Sequence, residues 1–217
     1  MNLQQARFNM VEQQIRPWEV LDAAVLDLME NWPRDEYVPE DYRKLAYADI
    51  AIPLGDGEVM MPPKVEARLL QSLQISGDDE ILEIGTGSGY LSSLLAQLGG
   101  SVVSVELSPR LAELGKTNLA RHGIGNVSLE TGDAARGWER HAPYDVIAVT
   151  GSVPVLEHHF QEQLKAGGRL FVIVGEAPAM EALLISRTAD DQWVRESLFE
   201  TVIPPLHGVP RPERFVL

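Results

Sequence analysis

The order of apolar and polar positions divides the chain into two parts. From residue 1 to about 75 the spacing is helical and interrupted by turns. Leu21, Ala24, Val25, Leu28 and Met29 recur at i, i+3, i+4, i+7 and i+8, one face of a helix that Trp32-Pro33 ends. A second helix is predicted over 63–74, with Val65, Leu69, Leu70 and Leu73 inward. The segment 48–63 holds Pro53, Gly55, Gly57 and Pro62-Pro63, which predicts an irregular arm laid over a neighbouring element. From residue 79 the rhythm becomes strand, helix, strand, helix. Strands are predicted at 80–84, 101–107, 127–130, 145–149 and 169–174, and an antiparallel hairpin at 182–187 and 193–202 closes the series around Asp190-Asp191. Ser108-Pro109, an N-cap followed by proline at the first helical position, opens a helix that Gly123 ends. Strands alternating with helices at this spacing predict an α/β fold, a doubly wound and mostly parallel sheet covered on both faces. The expected organisation is a helical cap and arm over 1–78 and a sheet domain over 79–217 in one compact unit.

Composition narrows the chemistry. The 217 residues include no cysteine, which removes disulfides, thiolate metal sites and cysteine nucleophiles. The net charge of −14 is spread along the chain, and no basic run exceeds Arg43-Lys44, so nucleic acid is not an expected partner. No stretch approaches the ~18 apolar residues that span a bilayer, and the first residues lack a signal peptide's apolar core, so a cytoplasmic location with no membrane partner is expected. His122, His141, His158, His159 and His207 show no metal-ligand spacing, and no metal is expected.

The most informative segment is Glu83-Ile84-Gly85-Thr86-Gly87-Ser88-Gly89-Tyr90, at the handover from first strand to first helix of the sheet. A phosphate loop of the Walker type would need lysine and a hydroxyl after its last glycine, where Tyr90 and Leu91 stand. The GxGxxG spacing of a dinucleotide site fails in both frames, with its third glycine falling on Tyr90 or Ser92. What remains is acid-x-Gly-x-Gly-x-Gly, suited to a cationic ligand such as S-adenosylmethionine, or else a structural turn around a salt-bridged glutamate. Glu106 ends the second strand and Asp133 follows the third, so Glu83, Glu106 and Asp133 are expected to line one crevice at the edge of the sheet.

This segment resembles the first motif of the protein-L-isoaspartate O-methyltransferases. The resemblance continues, in the family's order, through Pro33-Arg34-x-x-Tyr37-Val38-Pro39, Ala46-Tyr47-x-Asp49, Ile52-Pro53-Leu54-Gly55-x-Gly57, Pro143-Tyr144-Asp145, Gln163-Leu164-x-x-Gly167-Gly168-Arg169 and Val202-Ile203-Pro204-Pro205-Leu206. It implies a Rossmann-like methyltransferase fold with a helical N-terminal cap. It also implies methyl transfer from S-adenosylmethionine, leaving S-adenosylhomocysteine, to the stray carboxylate of isoaspartyl residues in damaged proteins. By position, Glu83, Gly85, Thr86, Gly87, Ser88 and Gly89 would surround the methionine moiety, Glu106 and Leu107 the ribose, and Asp133 with Ala134 the adenine. Glu58 to Met61 and Leu206-His207 would close over the cofactor.

On the acceptor side the resemblance implies Met60, Met61, Pro62, Thr150, Gly151, Ser152, Leu206 and His207. Here the chain departs from the family. Relatives carry Thr-Ile-Ser-x-Pro, with the serine beside the acceptor carboxylate; Val59-Met60-Met61-Pro62-Pro63 puts Met61, which has no proton to donate, in that place. Ser152, in a Thr150-Gly151-Ser152 turn that replaces Thr-Ala-Ala, restores a hydroxyl if it points inward. Methyl transfer to a carboxylate needs no general base, whereas an alcohol, phenol or amine acceptor would. Two alternatives follow: a methyltransferase acting on another acceptor, and a protein that binds the cofactor without turnover. Met60-Met61 could also be ordinary core packing.

Overall fold

A computed structural model describes residues 2–210 of the chain. Its main sheet has seven strands in the order β5-β4-β3-β6-β7-β8-β9. The first five of these positions are held by β3 (Glu80–Ile84), β4 (Ser101–Glu106), β5 (Val127–Thr131), β6 (Tyr144–Val153) and β7 (Leu164–Glu176), all parallel; β8 (Ala179–Ala189) and β9 (Gln192–Thr201) add an antiparallel edge. The crossovers run through α4 (Tyr90–Leu98), α5 (Pro109–Arg121) and the short α6 (His159–Glu162). Strand β3 pairs with β4 on one side and β6 on the other, so the winding reverses there and the connections diverge to leave a crevice.

Strand alternation sorts the core. Val146 and Ala148 belong to one hydrophobic cluster, Ile147 and Val149 to the other. The first cluster also holds Met10, Val25 and Met29 from α1 (Leu3–Met10) and α2 (Ala23–Asn31), so the N-terminal cap shares its core with one face of the sheet. Helix α2 starts later than the periodicity implies. The Asp22 side chain accepts hydrogen bonds from the Ala24 and Val25 N–H groups, which fixes the first turn, leaves Leu21 exposed and makes Val25, Leu26 and Met29 the inward face.

The arm also differs from its expectation. Strands β1 (Ile52–Gly55) and β2 (Glu58–Met60) form an antiparallel hairpin, and Asp56 and Gly57 at its tip both have positive φ. The Asp-Gly pair suits that geometry, a hairpin signal that the surrounding prolines obscure. Helix α3 (Pro63–Leu73) follows directly.

Arg34 ties these parts together. It is fully buried, donates to the Ala46 carbonyl at 2.9 Å and the Met61 carbonyl at 2.6 Å, pairs with Glu66 of α3, and lies over the Tyr90 ring. Removing one member of a buried pair leaves the other charge uncompensated. Arg34→Leu is therefore expected to cost about 3–5 kcal/mol in urea unfolding; a loss under about 1 kcal/mol, the range of exposed pairs, would show that the pair is dispensable.

Candidate active site

A cleft of about 330 Å³ opens at the C-terminal ends of β3 to β6, within the size range of small-molecule sites. Its floor is the turn after β3. Gly85 donates its N–H to the Val105 carbonyl at 2.8 Å, and its φ is +96°. A Cβ there would lie 2.2 Å from Thr150 Oγ1, which bonds the Ile84 and Gly85 carbonyls. Gly87 donates to Glu106 Oε2 and Ser108 to Glu106 Oε1, each at 2.9 Å. One carboxylate thus joins the glycine turn to the N-terminus of α5, with unused lone pairs left on both oxygens. Asp133 accepts from the Ala135 N–H at 2.9 Å.

The rims come from distant parts of the chain. The β1–β2 hairpin supplies Leu54, Asp56, Glu58 and Val59, and the segment after β9 supplies Pro204 to His207. Ser152 donates its N–H to Pro204 and accepts from the Leu206 N–H, both at 2.9 Å, which anchors that segment to β6. His207 Nε2 lies 2.7 Å from Glu58 Oε1, joining the two rims. Four carboxylates line the cleft, those of Asp56, Glu58, Glu106 and Asp133. Asp56 is paired at 2.9 Å with Arg110, which lies outside the lining, and Glu58 with His207, while Glu106 and Asp133 face no lysine or arginine among the described residues lining it.

The expected residues fall into three groups. Gly85, Gly87, Glu106, Leu107, Asp133, Ala134, Thr150, Gly151, Leu206 and His207 line the cleft. Met60, Met61, Thr86 and Ser88 line a side chamber that shares Gly85, Gly87 and Thr150 with it. Glu83, Gly89, Pro62 and Ser152 line neither.

Glu83 is the main correction. Its carboxyl is fully buried beneath the turn, where Oε2 accepts from Ser104 Oγ at 2.6 Å and from Ser92 Oγ, while Thr86 Oγ1 lies 2.5 Å from Ser104 Oγ. It braces the loop from below and does not share the crevice with Glu106 and Asp133. Gly89, at φ +79°, lets α4 pass close to the Gly115 backbone of α5, and Pro62 caps α3. Ser152 points away from the cleft and donates to the Ile203 carbonyl at 3.2 Å, so it does not replace the family hydroxyl.

Asp56, Ser108 and Leu111 line the cleft without having been singled out, and Glu66 lines the chamber. Glu66 was visible in principle. It stands three, four and seven residues before Leu69, Leu70 and Leu73, a charged side chain on the apolar face of its helix.

The reversal of strand order, the glycine turn and the acidic cleft define a class I methyltransferase fold. The family profile described as protein-L-isoaspartate(D-aspartate) O-methyltransferase (PCMT) matches residues 5–209, and the chain belongs to that family. It is 40% identical over 203 residues to protein-L-isoaspartate O-methyltransferase 1 of Rhodopseudomonas palustris strain HaA2, covering 93% of this chain and 83% of that one. The protein-L-isoaspartate O-methyltransferase of Protochlamydia amoebophila is 38% identical over 92% of this chain and 95% of its own length. A solved protein-L-isoaspartate O-methyltransferase superposes with a TM-score of 0.80 at 28% identity, over 93% of this chain and 66% of that chain. A Plasmodium falciparum structure described as a complex of a putative member with S-adenosyl-L-homocysteine shares the fold, with a TM-score of 0.77 at 18% identity over 92% and 97% of the two chains.

Burial pushes the Glu83 carboxyl up to about 8, against the Ser104 and Ser92 hydroxyls that favour its charged form. An ordinary glutamate loses its proton near 4.5, so between those values the folded chain holds a proton that the unfolded chain has released. Stability from this group therefore falls as pH rises through that window. Urea unfolding at pH 5 and pH 8.5 is expected to show a larger loss for wild type than for E83Q; equal losses would contradict a buried, titrating carboxyl.

Proposed function

We propose that the protein transfers a methyl group from S-adenosylmethionine to the free carboxylate of isoaspartyl residues in damaged proteins or peptides. The observation that carries this reading is the cleft's chemistry at the strand reversal. Its carboxylates favour a ligand bearing sulfonium and ammonium charges, and the Gly87 and Ser108 N–H groups that could greet a pyrophosphate are already bonded to Glu106.

The residues present fit the cofactor. Gly85 and Gly87 offer main chain without side-chain obstruction and would hold the methionine portion. The free lone pairs of Glu106 suit ribose hydroxyls, with Leu107 beside them, and Asp133 and Ala134 would flank the adenine. When bound, S-adenosylmethionine supplies a methyl carbon activated by its sulfonium. An isoaspartyl carboxylate is ionised at pH 7, so the chain need not remove a proton from it. What the chain supplies is alignment and exclusion of water, through the hairpin on one rim and Leu206-His207 on the other.

A second reading keeps the donor and changes the acceptor. It is motivated by Met61, buried at the chamber wall in the position where the family resemblance implies a serine.

Calorimetry is expected to show S-adenosylmethionine binding that Glu106→Ala weakens about 10- to 100-fold, the range for hydrogen bonds to a charged group. Radiolabelled methyl is expected to enter an isoaspartyl peptide and not its aspartyl counterpart. Donor binding without such labelling would sink the carboxylate reading, and a label search across lysate small molecules and proteins would then test the second.

A further inference from the structure

The side chamber measures about 40 Å³, room for roughly one water-sized or carboxyl-sized group. It opens beside the glycine turn, where an acceptor must meet the methyl position. Leu54, Val59, Met60 and Met61 make much of its wall apolar, and an acceptor carboxylate seated there needs a hydrogen-bond donor. The Thr150 hydroxyl is committed to main-chain carbonyls and Thr86 to Ser104.

Glu66 remains. Helix α3 turns it inward; Oε2 pairs with Arg34, and Oε1 accepts no hydrogen bond from any described residue. An acceptor carboxylate beside an ionised Glu66 would set two negative charges against one guanidinium. Carboxylates held that closely share a proton.

Resting on the isoaspartyl reading, we propose that Glu66 takes up a proton as the acceptor carboxylate enters the chamber and donates it as the hydrogen bond that Met61 cannot provide. The proton stays on Glu66 during methylation: the acceptor oxygen forms its bond to carbon as the sulfur–carbon bond breaks, and the carboxylate and sulfonium charges cancel. Once the acceptor is a neutral ester, the proton returns to solvent.

Burial already pushes the Glu66 carboxyl up to about 7 with Arg34 opposing the shift. The other titratable groups facing it are Tyr90 of α4 and Glu83 of β3.

The test is the pH dependence of methyl transfer to an isoaspartyl peptide between pH 5.5 and 8.5 at saturating S-adenosylmethionine. In wild type, KM for the peptide is expected to rise about tenfold per unit above neutrality, as expected for uptake of one proton, with a smaller change in kcat. E66Q keeps a donor that does not titrate, so its KM is expected to stay flat. E66L is expected to lose about 10- to 100-fold in kcat/KM at pH 6, and adding M61S to recover part of that loss. If E66L does not fold, E66Q still decides. E83Q is expected to retain the rise, which separates the two buried carboxyls. A wild-type pH profile in E66Q overturns the proposal, and loss of activity in Ser88→Ala alongside it reassigns the donor to Ser88. Wild type that binds S-adenosylmethionine but labels no isoaspartyl peptide at any pH overturns the function reading together with this one.

Discussion

A single carboxylate at the end of β4 carries the geometry of the cleft. By accepting one N–H from Gly87 and one from Ser108, Glu106 satisfies donors on two loops that would otherwise face solvent. It fixes the glycine turn against the start of α5 and sets an anion at the positive end of that helix. Related sheets keep such N–H groups free for phosphate; here the protein fills them with its own anion. The cleft's preference for a positively charged nucleoside follows from that substitution.

Much of this was legible in the amino-acid order because strand ends, glycines and caps leave local signals. The five parallel strands, the Ser108 cap and the placement of Glu106 and Asp133 all follow from such signals. Glu83 illustrates the limit. Being at a strand end places a residue near the crevice, but the pleat decides which way its side chain points, and that depends on neighbours brought in by pairing. Ser104 lies opposite Glu83 on β4, and Ser92 comes from α4; only together do they show where the carboxyl goes. The Asp56-Gly57 hairpin and the late start of α2 were readable locally, but weaker cues nearby masked them. The bond from Ser152 to Ile203 depends on tertiary docking of the last segment and has no local signature.

The cap is part of the site rather than an appendage. Its apolar residues complete the core on one face of the sheet, and Arg34 carries that connection to the Met61 carbonyl at the chamber wall. Helix α2 also reaches the chamber wall directly, through Met29 against the Tyr90 hydroxyl, so packing of the cap bears on acceptor placement although neither α1 nor α2 lines the cleft.

The contact between His207 and Glu58 spans residues 149 apart in the chain. The hairpin and the closing segment are thus one arch above the floor, and neither limb lifts without unfastening the other. Whatever sits beneath enters and leaves past that contact, so its exchange depends on how often the arch parts as well as on the contacts deeper down.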